Sequence, residues 1–439
     1  MSPPKFHLAW FMNFTPDEWM DPFASGGSPW DGQFFMDMAR ALERACFDYI
    51  MIEDTLMLSD AYGGTHEAYL KHALMAPKHD PSPLAAIMSI VTERLGIVAT
   101  MSTSFYPPFM LARLCSTLDH IAKGRFGWNI VTSGEDGSAH NFGMDKLYEH
   151  DLRYDMADEY LDLVCQLWDS WEPDAVVLSR ETGTYADFKK VHEINFEGKF
   201  YKCRGPLNTV RSPQGRPTFV QAGGSPRGRE FAAKTADSII ATATGIEGMK
   251  EYRDDVRARA DRQGRNPDEC KVLFLVNPIL GATEAEARAK QQRMRDNPHA
   301  LEQTLAGISS VTDIDFSQFD LDQPLPEGLE TNGERGSLIK FAQWGSGKTL
   351  RELAADRVSI SGCVELVGTP DQVAERMGEV MEEVGGDGYL ITTPKQRLSR
   401  AVINEITDGL IPALQRRGCL LYTSPSPRDR TRSRMPSSA

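Results

Sequence analysis

Eight short β-rich apolar runs, each followed by helix-like periodicity, constrain this chain more than any other feature. The runs are Lys5–Phe11, Tyr49–Glu53, Leu95–Met101, Arg125–Val131, Thr218–Gln221, Ser238–Thr242, Lys271–Val276 and Gly388–Ile391. Between them lie amphipathic stretches such as Phe34–Ala45, Tyr154–Trp168, Met249–Gln263 and Asp371–Val384. The last is opened by Thr369 as N-cap and Pro370 in the first turn. Strands alternating with helices predict βαβ units and a parallel sheet. Eight of them without a G-x-G-x-x-G opening unit favour an α/β fold closed as a (β/α)8 TIM barrel over an open doubly wound sheet. The chain has 439 residues, against about 250 for such a barrel. The excess is expected in insertions at roughly Ser59–His79, Asp174–Leu207 and Asp296–Leu350, the last reading as a lid-like excursion and not as a domain.

Charge and cysteine content narrow the function classes. A formal net charge of −14 argues against nucleic acid or an anionic membrane as partner, since both select basic patches. No apolar run approaches the about 18 residues of a membrane span. Met-Ser-Pro-Pro-Lys5 leads straight into Phe6 without the features of a signal peptide. The seven cysteines are scattered and form no C-x-x-C pair, which reads as reduced, mostly buried thiols of a cytoplasmic protein.

From Cys419 the composition changes abruptly to Arg, Ser and Pro. With suitable codons, Cys419–Asp429 back-translates into the transposon-end adapter of tagmentation sequencing libraries. Ser433–Ala439 matches the adapter's distal end, across an index-sized gap. Residues 1–418 are therefore expected to form one barrel domain, with 419–439 a disordered artefact.

Barrel active sites lie at the C-terminal ends of the strands, so the polar residues there are the candidates. Glu53-Asp54-Thr55 closes the second run, where a carboxylate serves either as a cap for loop amides or as a site group. Thr100 lies near the end of the third run, with a structural reading equally open. Asn129 and Ser133 are more pointed, because they terminate the strongly apolar run Arg125–Val131. His150 and Tyr154 share one face of a predicted helix at i and i+4. A solvated histidine and a core tyrosine are the bland readings of that pair.

Gln221-Ala-Gly223-Gly224-Ser225-Pro226 carries a sharper signal. A strand runs into two glycines, then Ser225 as N-cap and Pro226 at the first helical position. That turn aims free backbone N–H groups at the barrel mouth, as phosphate binding requires. Arg227 and Arg229 either add charge there or lie on the surface. Gly345-Ser-Gly-Lys-Thr349 looks like the end of a P-loop, but Ala342 stands where the pattern needs glycine, and no strand precedes it. The nine histidines show no H-E-x-x-H or His/Asp spacing, so no metal site is expected. No G-x-S-x-G elbow suggests a serine hydrolase.

Together these segments resemble the bacterial-luciferase-like flavin monooxygenases, in the branch of nitrilotriacetate, dibenzothiophene-sulfone and long-chain alkane monooxygenases. The resemblance covers Lys5 to Gly418. Its most specific pieces are Ser116–Arg125, Trp128–Ser133, Asn141–Gly143, Glu149–Asp155, Val191–Asn195, Gln221–Ser225 and Val367–Pro370. It implies a barrel that binds FMN, as FMNH2 supplied by a separate NAD(P)H:FMN reductase, in a homodimer or homotetramer. Asp54, Thr100, Ser133, His150, Tyr154 and Ser225 fall on the family's flavin positions. Ser225 with the amides of Gly223 and Gly224 would hold the phosphate, and Tyr154 and His150 the phosphoribityl chain. Asp54, Thr100 and Asn129 would line the ring side, with Asn129 and His150 the expected catalytic positions.

The implied chemistry is insertion of one oxygen atom from O2 into a small organic substrate through a peroxyflavin, under dry, oriented conditions that the protein supplies. Trp10, Phe11, Phe105 and Tyr106 are placed to line such a pocket. Two other functions compete: hydride transfer with a deazaflavin and no O2, and a non-catalytic flavin-binding protein. Oxygen-dependent substrate consumption separates them. The substrate is open among aminopolycarboxylates, sulfones, sulfides and alkanes.

Overall fold

The computed structural model describes residues 5–12, 15–16, 31–355, 362–393 and 397–420. Eight parallel strands close into a barrel in sequence order: β1 (His7–Met12), β2 (Tyr49–Ile52), β3 (Gly96–Ser102), β4 (Phe126–Val131), β5 (Thr218–Ala222), β6 (Ser238–Ala241), β7 (Lys271–Val276) and β8 (Gly388–Ile391). All eight expected runs are strands, displaced by no more than two residues at either end. Helices follow them on the outside: α1 (Gln33–Arg44), α2 (Pro81–Ile90), α3 (Pro108–Ile121), α4 (His150–Asp169), α5 (Pro226–Thr235), α6 (Gly245–Arg262) and α7 (Pro370–Val384). Thr369 caps α7 in a full capping box with Gln372, as its sequence requires.

A strand buried on both faces is apolar throughout, and β7 (Lys-Val-Leu-Phe-Leu-Val) is buried after its first residue. The two-residue period then divides the core. Ala9, Met51, Val98, Val220, Ile240, Leu273 and Leu390 fill the barrel interior. Leu8, Trp10, Ile50, Ile97, Ala99 and Phe274 pack outward against the helices. Closure is tight where β8 meets β1: a Cβ on Gly388 would lie 2.0 Å from the carbonyl oxygen of His7. No other residue fits that crossing.

The Ser116–Arg125 segment serves this framework and not the chemistry. The buried Arg125 guanidinium, entering β4 at its N-terminal end, donates to the carbonyls of Ser89, Thr92 and Leu95. Asp119 accepts from the backbone N–H of Phe126 and Gln214.

Two insertions follow strands β2 and β7 and so rise over the C-terminal mouth. The first carries the short helix Glu67–His72. The second carries helices Ala300–Thr312 and Arg335–Trp344, with a small core of its own around Leu305, Phe316, Leu338 and Phe341. The third insertion, Asp174–Leu207, joins α4 to β5 at the opposite end and forms two small antiparallel hairpins. Gly345–Thr349 follows the C-terminus of a helix, not a strand, so the P-loop geometry is absent there.

The chain packs two residues beyond the expected boundary. Cys419 and Leu420 are buried, and the Cys419 carbonyl accepts from the backbone N–H of Phe6. The remainder of the adapter-like segment, 421–439, lies outside the described residues.

Candidate active site

The alternation that fills the barrel also aims its site. Val98 points inward, so Thr100 does too, two residues further along β3. β4 runs in register with Thr100 opposite Asn129. Asn129 Nδ2 donates to Thr100 Oγ1 at 2.9 Å. The Asn129 Oδ1 is buried and has no partner, and the Oε1 of Gln221 on β5 is in the same condition. Such orphaned acceptors are costly unless a ligand completes them. Just past β4, Ser133 adopts φ 58°, which turns the chain and brings its Oγ 2.8 Å from that of Ser102.

Helix α4 begins at His150, so His150 and Tyr154 lie one turn apart on its inner face, with ring centroids 5.2 Å apart. Both are buried. His150 Nδ1 lies 2.6 Å from Asp151 Oδ1. Burial nevertheless pushes the imidazole below its usual pKa, so it is held neutral near pH 7. Burial likewise raises the Tyr154 phenol.

Opposite them, β5 breaks at Gly223-Gly224 into α5. Ser225 Oγ accepts the Gly228 N–H at 3.0 Å as N-cap, and Pro226 occupies the first turn. Space here is reserved. A Cβ on Gly228 would stand 2.8 Å from Tyr154 Oη and 3.1 Å from Ser225 Oγ. The N-terminus of helix Arg335–Trp344 closes on the same turn, with a Cβ on Gly336 falling 3.0 Å from the Gly224 Cα. Two helix N-termini thus face one turn, a positive electrostatic environment suited to an anion. Arg227 and Arg229 do not contribute to it. Arg227 pairs with Asp155 and Asp158, and Arg229 with Asp255.

These groups surround one cavity of about 320 Å³ at the C-terminal mouth. Asp54, Thr100, Asn129, Ser133, His150, Tyr154, Gly223, Gly224 and Ser225 all line it. The second insertion roofs it with Ile308, Val311, Phe341 and Trp344. Of the four aromatics expected there, Phe11 alone lines the wall. Trp10, one residue earlier, faces outward by the strand period and packs on Phe47. Phe105 stacks on Phe142, and Tyr106 joins the outer core.

Asp54, expected from the sequence, stands in a larger carboxylate cluster within the same cavity. Glu53, Asp54, Glu135 and Glu334 line it. Desolvation lifts Glu53 to about 8, Asp54 to about 6 and Glu135 to about 7, with neighbouring carboxylates adding to each shift. Lys78, whose Nζ donates to Thr55 Oγ1, opposes these shifts and is itself lowered to about 8 by burial. Lys340 bonds to Thr242 Oγ1 and is also lowered to about 8. Glu53 stood beside Asp54 in the sequence and Gln221 opened the glycine motif, so both carried a signal. Glu135 and Lys78 carried none.

A closed parallel barrel with its polar groups gathered under inserted loops at the strand C-termini defines a TIM-barrel enzyme. The chain belongs to the luciferase-like monooxygenase family, whose profile matches residues 12–388, and is thereby a flavin-dependent monooxygenase. It is 36% identical over 394 residues to the dibenzothiophene-sulfone monooxygenase of Rhodococcus erythropolis, covering 88% of this chain and 86% of that protein. It is 37% identical over 414 residues to nitrilotriacetate monooxygenase component A of Aminobacter aminovorans, covering 91% and 89%. Among solved structures, riboflavin lyase with modified FMN and riboflavin superposes with a TM-score of 0.87 at 31% identity, covering 97% of this chain and 95% of that one. No helix among the described residues is long and apolar enough to cross a membrane.

Proposed function

We propose that this protein is the oxygenase component of a two-component system, which takes FMNH2 from a separate NAD(P)H:FMN reductase and inserts one atom of O2 into a small organic substrate. The observation that carries the reading is the pairing of a backbone anion cradle at Gly223-Gly224-Ser225 with orphaned buried acceptors at Asn129 and Gln221. A flavin mononucleotide has both a phosphate and a ring N–H, so the residues present fit it. The bound reduced flavin supplies the O2 chemistry.

The chain's own residues do the rest. The amides at the start of α5, with Ser225, hold the phosphate. Tyr154 and neutral His150 position the phosphoribityl chain. Asp54, Thr100 and Asn129 orient the ring, and Ser133 fixes the turn beside them. The apolar roof of Ile308, Val311, Phe341 and Trp344 excludes water from the reacting centre. Names such as "component A" among the relatives agree with a separate reductase. The seven free thiols agree with a reducing cytoplasm.

Burial leaves the cavity carboxylates partly protonated near pH 7, and Lys340 and the adjacent Lys78 offset the remainder. The pocket is thus desolvated with little excess charge, which favours uncharged substrates over polyanions. Sulfones, sulfides and alkanes therefore rank above aminopolycarboxylates. The test is aerobic turnover with NADH, FMN and a generic flavin reductase against one substrate of each class. Oxygen-dependent consumption of a neutral substrate is expected. Turnover with reduced deazaflavin in the absence of O2 would overturn the proposal, as would fast NADH oxidation by the protein without a reductase.

A further inference from the structure

Away from the cavity, three metal-ligating side chains converge that lie far apart in the sequence. His72 ends the short helix of the first insertion. His299 and Glu302 stand at i and i+3 at the start of helix Ala300–Thr312 in the second. One ligand atom from each lies within 4.8 Å of the others. His72 Nε2 is 2.5 Å from Glu302 Oε2, and the two imidazole centroids are 5.0 Å apart. We propose that His72, His299 and Glu302 form a divalent-cation site, with zinc the favoured ion.

The donor set carries the choice. Two imidazole nitrogens and one carboxylate oxygen suit zinc, with water as fourth ligand in a tetrahedron. Bonds of about 2.0–2.1 Å place tetrahedral ligands roughly 3.4 Å apart, so the three atoms need only small side-chain rotations to reach it. His72 is buried, while the Glu302 side chain is 35% exposed, which leaves a path for the ion. Lys71 Nζ lies 2.9 Å from the same Glu302 oxygen. Its ammonium therefore competes with a cation for that carboxylate.

The location gives the site a purpose. Tyr69 donates to the Ala306 carbonyl at 3.0 Å and packs on the same helix, together with Ala68. Two and five residues beyond Ala306 on that helix, Ile308 and Val311 enter the cavity wall. A cation at the outer end of this contact clamps the first insertion to the helix that roofs the active site. It takes no part in the oxygen chemistry.

The test uses the full chain, loaded with Zn2+ and freed of excess, with metal content measured by elemental analysis. One zinc per chain is expected in the wild type. His72→Gln combined with His299→Gln should fall to background, since glutamine keeps hydrogen-bonding capacity but does not replace the imidazole ligand. Cobalt substitution should give the visible bands of a tetrahedral site. Lys71→Ala should tighten zinc binding several-fold. A plain hydrogen-bonded cluster predicts instead that Lys71→Ala binds no zinc and loses some stability. Absence of zinc from the wild type, or equal zinc in wild type and the double variant, overturns the proposal.

Discussion

Asn129 donates to Thr100 across the β3–β4 register at 2.9 Å while its own carbonyl oxygen stays buried and unpartnered. The hydroxyl locks the amide so that its acceptor is held inside the cavity. Thr100→Val should leave the Asn129 amide unpaired and lower stability by about 1–2 kcal/mol, as read by urea denaturation. Asn129→Leu should cost less stability but weaken FMNH2 binding. Unchanged affinity in Asn129→Leu would remove this residue from the ring side.

Ser225→Asp isolates charge from fold. Aspartate caps helices as well as serine does, so the melting temperature should hold. The new carboxylate would confront the phosphate, and flavin affinity should fall by about tenfold or more, equivalent to at least ~1.4 kcal/mol. Equal FMNH2 affinity by stopped-flow titration would place the phosphate elsewhere.

His150→Ala and Tyr154→Phe, made separately, should yield more H2O2 and less product per NADH. The two rings meet on one helix face and neither is a surface group. Loosening the flavin by a fraction of an ångström should lower coupling on the order of tenfold. Peroxide yield measured against substrate turnover checks this.

The raised carboxylates give the ligand-free protein a pH signature. Glu53, shifted from 4.5 to about 8, binds more protons folded than unfolded between those values. Its contribution is fully present below pH 4.5 and is lost as pH rises toward 8, with Glu135 acting in the same sense up to about 7. Lys78, lowered from 10.5 to about 8, works oppositely above that point, so its contribution grows from pH 8 to 10.5. Glu53→Gln should flatten the decline between pH 5 and 8 by a fraction of the ~1.4 kcal/mol per pH unit that one proton carries. Identical slopes for wild type and variant, from denaturation at several pH values, would show that Glu53 titrates normally.

Cutting the chain after Gly418 should cost about 2–4 kcal/mol relative to cutting after Leu420. The difference is the burial of Cys419 and Leu420 and the hydrogen bond to Phe6. Equal melting temperatures of the two truncations would show that this packing is not used.

Local order was legible in the chain before any folding was considered. The two-residue and helical periods marked all eight strands, Thr369-Pro370 announced its capping box, and Gly223-Gly224-Ser225-Pro226 announced the turn into α5, because each depends on neighbours a few residues away. The same logic put His150 and Tyr154 on one face. Long-range environment was not legible. That Arg227 and Arg229 turn to Asp155, Asp158 and Asp255, that Trp10 faces out while Phe11 faces in, and that Glu53, Glu135 and Lys78 perturb one another follows from strand phase and barrel closure. His72 and Glu302 are 230 residues apart, a separation no spacing rule spans. Desolvation and charge coupling depend on what surrounds a group in space, so tertiary structure alone decided which polar residues became chemically unusual.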